Sequence, residues 1–328
     1  MKAVYINEFG AVDNLALRDV PDLPAPVGNQ VLIDVRAAGL NRADLLQVRG
    51  SYPPPSGYSP NIPGLEFAGE VTAVGKDVSR WQLGNRVFGI TSGEAQAEFL
   101  LSDEWLLAKI PDRLSFTEAA AVPEAFITAH DAVFTLGDFK AGESLLIHAV
   151  GSGVGLAALQ LAKAKGAFAI GTSRTVNKLN KCRELGLDVA MPTGDGIDFA
   201  KIIKEMTGGK GVDVILDLVG AAYFQQNLDS LANKGRLILV GFTSGSKTEF
   251  DLSIALQKRL KIIGTVLRAR SIGERSEAIA KFTDEVVPLL ESAEIRPNLD
   301  RVFAFEHVRE AYRYLESNES FGKVVIEL

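Results

Sequence analysis

The chain has 328 residues, enough for two domains that each bury a core. Apolar residues make up 47% and charged residues 23%, a balance that excludes a disordered chain. The net charge is -6 and no run of Lys or Arg forms a basic stripe, so no nucleic-acid partner is expected.

From residue 1 to 122 the sequence reads as short β-rich pieces parted by Gly, Pro and Asn or Asp: "KAVYI", "LALRDV", "QVLIDVRAAG", "FAGEVTAVG", "RVFGI" and "AEFLL". That spacing predicts a barrel or partly open β-domain. Between the third and fourth pieces lies "NRADLLQVRGSYPPP". Here Asn41 suits a helix N-cap with Asp44 three residues on, a weak variant of the capping box, and this reading does not exclude a chemical role. Tyr52 precedes three prolines; its phenol could cover a loop or donate to a developing oxyanion. In "PGLEFAGEV", Glu66 reads as an anchor for backbone or Arg side chains.

The stretch "FTEAAAVPEAFITAHDAVFTL" changes to a helical period, with Thr117 as the expected N-cap and Glu118 in the first turn. A domain boundary is expected near Val122. From Glu143 strands and helices alternate: "SLLIHA", "GVGLAALQLAKAK", "FAIGTS", "VNKLNKCREL", "DVAM", "DFAKIIKEM", "VDVILDLV", "YFQQNLDSL" and "GRLILVG". Such alternation predicts an α/β fold with a doubly wound parallel sheet, a Rossmann domain over 123–266. After "LKIIGTVL" come helices around "SEAIAKFTDEVVPLLES" and "FEHVREAYRYLES", then a strand, "KVVIEL". Residues 267–328 are expected to complete the first domain.

The glycines of "HAVGSGVGLAALQ" stand at 151, 153 and 155, which is not the G-x-G-x-x-G spacing. Their context is stronger, because the loop follows an apolar strand and opens a helix whose N-terminus offers free N–H groups to a pyrophosphate. At the end of the next strand "GTSRTVNK" supplies Ser173, Arg174 and Lys178 and no carboxylate. Donors and positive charge there suit a ribose 2′-phosphate, so NADPH is the expected cofactor.

The single cysteine, Cys182, excludes an internal disulfide, and its helical neighbours Leu179 and Leu185 make it a small buried hydrophobe. His130, His148 and His307 are too widely spaced for a local metal motif, and His148 reads as a satisfied core histidine. "MKAVYINEFG" has no long apolar run of a secretory signal, and the most apolar window is broken by His148, Ser152 and three glycines. A cytoplasmic protein without a membrane partner is expected.

A β-rich first domain, the "A-x-x-S-G-V-G" turn around Ser152 and the C-terminal "FGKVVIEL" together resemble the medium-chain dehydrogenase/reductase superfamily. "NRADLLQVRGSYPPP", "PGLEFAGEV", "AAVPEAFITA", "HAVGSGVG" and "VLRAR" are most similar to its zinc-independent quinone oxidoreductase branch, the tumour-suppressor-inducible type in particular. The resemblance implies a GroES-like β-barrel domain over 1–122, the Rossmann domain, and NADPH bound in a cleft they form. Where zinc-dependent members carry a cysteine and a histidine ligand, this chain has Asn41 and Leu65, so no metal is expected.

By the same resemblance Asn41, Tyr52 and Tyr58 would line the catalytic cleft. Thr128 would sit near the nicotinamide, and Ser152, Gly153 and Val154 would face the pyrophosphate. Ser173, Arg174 and Lys178 would hold the adenosine phosphate. Gly241, Phe242, Leu267 and Arg268 would hold the nicotinamide half, although Phe242 could equally be core. The implied activity is NADPH-dependent reduction of a quinone or related conjugated carbonyl. Two other readings stay open: an enoyl-thioester reductase with Tyr52 as proton donor, and a non-catalytic NADPH-binding sensor or structural protein. A homodimer through the strand "LKIIGTVL" is the expected assembly.

Overall fold

The computed structural model describes residues 1–194 and 197–328. The chain forms two compact units, Met1–Ile127 with Leu267–Leu328, and Thr128–Val266. The sequence expectation put the change of texture at Val122; the division falls a few residues later, inside a helix.

In the first unit the chain begins with β1 (Lys2–Ile6), β2 (Leu15–Asp19) and β3 (Gln30–Leu40), followed by α1 (Arg42–Val48). Next come β4 (Glu66–Val74), β5 (Arg86–Ile90), β6 (Phe99–Asp103), β7 (Leu107–Lys109), α2 (Phe116–Ala120) and α3 (Pro123–His130). In the second unit follow β8 (Ser144–Ile147), α4 (Gly153–Ala164), β9 (Phe168–Ser173), α5 (Val176–Glu184), β10 (Val189–Pro192) and α6 (Phe199–Met206). That unit closes with β11 (Val212–Asp217), α7 (Phe224–Ser230), β12 (Leu231–Leu239), α8 (Leu252–Lys258) and β13 (Lys261–Gly264). The chain then returns to the first unit as α9 (Ile272–Glu285), α10 (Val287–Glu291), β14 (Leu299–Ala304), α11 (Val308–Glu316) and β15 (Lys323–Glu327).

The first unit holds a sheet in the order β14-β15-β3-β4-β5-β7, with β6 also on β3. Strand β3 is long because its inward positions, Val31, Ile33 and Val35, alternate over a core shared with Phe67, Val71, Val87, Leu100 and Leu107. Strand β15 inserts antiparallel beside β3, pairing Val324 with Leu40 and Ile326 with Ala38. A second core joins Leu40 and Leu45 to Tyr312, Val324 and Ile326, which fixes the start of α1 against the end of β15.

The second unit is a parallel sheet in the order β10-β9-β8-β11-β12-β13, the strand order of a doubly wound dinucleotide fold. Its central strands, β8 and β11, read as almost unbroken apolar runs because helices cover both faces. Among the described residues no helix is long and apolar enough to cross a membrane.

Two local expectations are corrected. Ser115, not Thr117, is the N-cap of α2: its Oγ accepts from the Glu118 N–H at 3.2 Å, and Glu118 Oε2 accepts from the Ser115 N–H at 2.9 Å. The single helix predicted from 116 onward is also divided, with Pro123 opening α3, because proline lacks the N–H needed inside a continuing helix.

Candidate active site

The turn after β3 brings three carboxyl groups and two cations into one buried neighbourhood of the first unit. Glu66, at the start of β4, is fully buried. A Cβ on Gly39 would overlap its carboxylate, so the glycine keeps that space open. Glu66 Oε1 accepts from Lys323 Nζ at 2.5 Å and from Asn41 Nδ2 at 2.8 Å, while Oε2 accepts from the Glu124 backbone N–H at 2.8 Å. Lys323 also donates to Leu40 O and Asn41 Oδ1, both at 2.7 Å, which satisfies its three N–H bonds. Glu66 thus anchors the backbone at the first turn of α3, as expected, and a lysine where an arginine was named.

Asn41 starts α1 through its backbone, whose N–H donates to Asp44 Oδ2 at 2.7 Å. Asn41 and Asp44 form the expected capping box, and the Asn41 amide also spans Glu66 and Lys323. Asp44 Oδ1 accepts from the Gly64 N–H at 3.2 Å. Burial pushes the Asp44 carboxyl up to about 6 despite these donors and the charges of Lys323 and Arg268.

The far end of α1 carries Gln47, whose Oε1 accepts from Arg268 Nη2 at 2.5 Å. Arg268 is buried and donates further to Ser92 O and Tyr52 O, both at 2.8 Å, with its guanidinium carbon 4.9 Å from the centre of the Tyr52 ring. It therefore orients Tyr52 from below. Burial lowers the pKa of Arg268 and raises that of Tyr52, the latter against the pull of Arg268, so the phenol keeps its proton at neutral pH. Tyr58 lies against Gly93, where an added Cβ would come within 3.3 Å of the Tyr58 Cβ. Leu267, just before Arg268, is buried.

Glu124 follows Pro123 in the first turn of α3. Its backbone N–H is held by Glu66, but its carboxyl makes no hydrogen bond or ion pair with any described residue. Burial, then the nearby charge of Glu66, pushes this carboxyl up to about 8. Neither Glu124 nor Lys323 was marked by sequence reasoning. Lys323 stood in the quoted "FGKVVIEL", yet its site partner Asn41 is 282 residues away.

In the second unit, the strand-to-helix turn after β8 places Ala149 in the left-handed region, at φ 50°, and Ser152 at the N-cap of α4, its Oγ accepting from the Gly155 N–H at 3.1 Å. A Cβ on Gly155 would lie 2.6 Å from Ala149 O, so a glycine is required where the helix meets the turn. Gly153 and Val154 occupy the first turn of α4, whose N–H groups have no partner within the helix. Ser173 ends β9, Arg174 is exposed with no ion pair among the described residues, and Lys178 sits on α5. Thr128 is buried. Gly241 follows β12, its N–H donating to Asp217 O at 3.3 Å, and Phe242 is 60% exposed, which removes its core reading.

A buried polar chain supports these loops from beneath. His148 Nδ1 meets Thr172 Oγ1 at 2.8 Å, His148 Nε2 meets Asn227 Oδ1 at 2.6 Å, and Asn227 Nδ2 donates to Asp217 Oδ2 at 3.0 Å. Asp217 Oδ1 accepts from the N–H groups of Val219 and Gly220. Burial lowers His148 to about 4 and raises Asp217 to about 6. His148 is a satisfied core histidine, as its sequence context suggested. Cys182 is buried and its thiol is pushed up to about 12, an inert group.

These residues fit a dinucleotide: a glycine-lined helix N-terminus for the pyrophosphate, and a strand end without a carboxylate for the adenosine ribose. They do not fit zinc. Among the described residues no group of three or more His, Cys, Asp or Glu could hold a metal ion, and the Glu66 carboxylate already carries an ammonium and an amide.

Comparison with known proteins agrees with this architecture. A family model described as "Alcohol dehydrogenase GroES-like domain" matches residues 28–131, and one described as "Zinc-binding dehydrogenase" matches residues 153–284. The quinone oxidoreductase of Lama guanicoe is 32% identical over the whole chain and 98% of its own length. The erythronolide synthase EryA2 of Saccharopolyspora erythraea is 40% identical over 79% of this chain, which spans only 7% of that protein. Among solved structures, a quinone oxidoreductase of Pseudomonas syringae matches with a TM-score of 0.88 at 30% identity, covering 100% of this chain and 99% of that one. The JamJ enoyl reductase matches with a TM-score of 0.87 at 28% identity over 99% and 98%. The chain is therefore an oxidoreductase of the medium-chain dehydrogenase/reductase superfamily. Within it, the chain belongs to the quinone oxidoreductase family.

Proposed function

We propose that this protein reduces quinones or related conjugated carbonyls with NADPH and without a metal. The observation that carries the reading is the Asn41–Glu66–Lys323 set. An ammonium and an amide fill the space around the carboxylate, leaving substrate activation to hydrogen-bond donors. Two donors remain: the second N–H of Asn41 and the phenol of Tyr52, neither of which has a hydrogen-bond partner among the described residues. Tyr52, kept protonated and backed by Arg268, is suited to give its proton to the substrate oxygen.

NADPH, when bound, supplies the hydride. Ser152, Gly153 and Val154 would hold its pyrophosphate; Ser173, Arg174 and Lys178 its 2′-phosphate; Thr128, Gly241, Phe242 and Leu267 would adjoin its nicotinamide half. The preference for NADPH over NADH rests on the exposed, uncommitted guanidinium of Arg174 and the absence of a carboxylate at the end of β9.

NADPH oxidation should depend on an added ortho- or para-quinone. NADPH should bind at least about tenfold more tightly than NADH, as one charge-assisted hydrogen bond provides, and Arg174→Ala should remove most of that preference. Equal wild-type affinities would remove the charge reading. A second reading, an enoyl-thioester reductase, is favoured by the likeness to the JamJ enoyl reductase and by the same unpartnered Tyr52. Faster turnover of an enoyl thioester than of any quinone would select it. Tight NADPH binding without turnover of either substrate class would leave a non-catalytic cofactor-binding protein.

The same reading includes a homodimer. Strand β13 is an edge of the parallel sheet and exposes Ile262, and Leu252 and Leu256 of α8 and Val266 are exposed as well; the edge is suited to pairing with a second copy. A cytoplasmic setting suits a chain whose one thiol is buried.

A further inference from the structure

We propose that Gln47 is a positioning residue for the proton donor: with Arg268 it ties the two ends of the 52–60 loop together, and so sets the width of the acceptor ring that the Tyr52 phenol can meet. The inference deepens the reductase reading and rests on Tyr52 as donor, but it starts from a closed set of hydrogen bonds within the first unit.

The segment "YPPPSGYSP" follows α1, with Tyr52 at its first position and Pro60 at its last. Arg268 Nη1 donates to the Tyr52 carbonyl at 2.8 Å, and Nη2 donates to Gln47 Oε1 at 2.5 Å. The same Gln47 amide donates through Nε2 to the Pro60 carbonyl at 2.9 Å, with a longer contact to Ile62 O at 3.4 Å. One buried guanidinium and one buried amide therefore hold both ends of the loop. The amide can sit only this way round, because a guanidinium has nothing to accept with and a carbonyl has nothing to donate.

Two further contacts hold the loop near its end. The Ser59 N–H donates to Glu94 Oε1 at 2.7 Å, from a glutamate whose backbone stands in the left-handed region at φ 70°. A glycine would take that conformation without strain but could not hold Ser59. Arg268 Nε donates to Ser92 O at 2.8 Å, and the next residue, Gly93, packs on Tyr58, where an added Cβ would come within 3.3 Å of the Tyr58 Cβ. Inside the loop, Pro53, Pro54 and Pro55 each fix φ near about -65°, so a segment held at both ends is stiff throughout. The Arg268 guanidinium, 4.9 Å from the centre of the Tyr52 ring, backs one face of that ring and leaves the other to an acceptor. Releasing the far end of the loop lets it move away from the phenol and admit a wider ring.

Gln47→Leu removes both halves of the clasp, and Gln47→Glu keeps an acceptor for Arg268 but has no donor for Pro60. Glu94→Gly releases Ser59 while relieving the backbone, so it should melt no lower than wild type and separates loop freedom from loss of fold. In the cofactor-free protein, amide hydrogen exchange at Gly57, Tyr58 and Ser59 should be about tenfold faster in all three variants, the scale of one lost hydrogen bond. With NADPH, the ratio of kcat/KM for the three-ring 9,10-phenanthrenequinone to that for the one-ring 1,4-benzoquinone should rise about tenfold in all three, with KM for NADPH unchanged. Taking the ratio cancels any effect of a variant on the phenol itself. Unchanged exchange, or a wild-type ratio in variants whose loop has loosened, overturns the proposal. So does an equal loss of turnover for both quinones with a lower melting temperature, the mark of a merely structural residue. If wild type reduces neither quinone, the reductase reading fails instead, and the exchange difference alone decides whether the clasp holds the loop.

Discussion

Asn41 shows how one residue can serve two structural duties at once. Its backbone N–H starts α1 through Asp44, while its amide is handed to Glu66 and Lys323. The pattern "NRAD" disclosed the helix start because capping is local; the amide's partners come from β4 and β15 and no local rule points to them. Glu124 was silent in the sequence for the same reason. Its raised pKa follows first from burial and then from the nearby Glu66 and Asp44 carboxylates, which only the fold brings together. The resulting pH dependence of stability has a definite sign. The folded-state pKa of Glu124, about 8, lies above the ordinary glutamate value of 4.5, so stability from this group is fully present below about 4.5 and is lost as pH rises through about 8. Thermal unfolding of Glu124→Gln should therefore match wild type near pH 4 and exceed it at pH 9. A midpoint difference independent of pH would contradict the assignment.

At the scale of elements, strands β3, β4 and β15 position the Asn41–Glu66–Lys323 set, and the turn after β8 positions Ser152. Gly39 on β3 is the critical spacer, since a methyl group there would strike the Glu66 carboxylate and come within 2.6 Å of Ala120 O. Gly39→Ala should destabilise the protein by about 1–3 kcal/mol in denaturant unfolding, the usual cost of overpacking. Gly273→Ala, whose added atom would meet nothing nearer than Ser271 Oγ at 4.0 Å, serves as the control and should change stability little. The alternating β–α pattern of the second unit was readable because each strand is a short apolar run bounded by turn residues. Strand β14 and helix α8 were not, because β14 is an edge strand with half-exposed positions and α8 leaves its apolar residues in solvent. The split between α2 and α3 was written in Pro123 but was overridden by the helical period running through it.

For the whole molecule, composition and order of elements were enough to foresee an α/β fold with a β-rich companion domain, because those properties are sums over many residues; the oxidoreductase reading came from the glycine loop and the family resemblance. The assembly depends on fewer. If β13 pairs with its copy, Ile262→Lys should place a charge at the junction and shift the protein from dimer to monomer in sedimentation velocity. A monomeric wild type would remove that reading. The contact between Lys323 and Leu40 joins residues 283 positions apart. During synthesis, the second unit is one continuous stretch and can fold as soon as it emerges from the ribosome. The first unit must wait for β15. Until Lys323 has left the exit tunnel, the Glu66 carboxylate lacks its counter-ion and Asn41 lacks one of its two anchors. The Asn41–Glu66–Lys323 set is thereby assembled only after almost all of these residues have been translated.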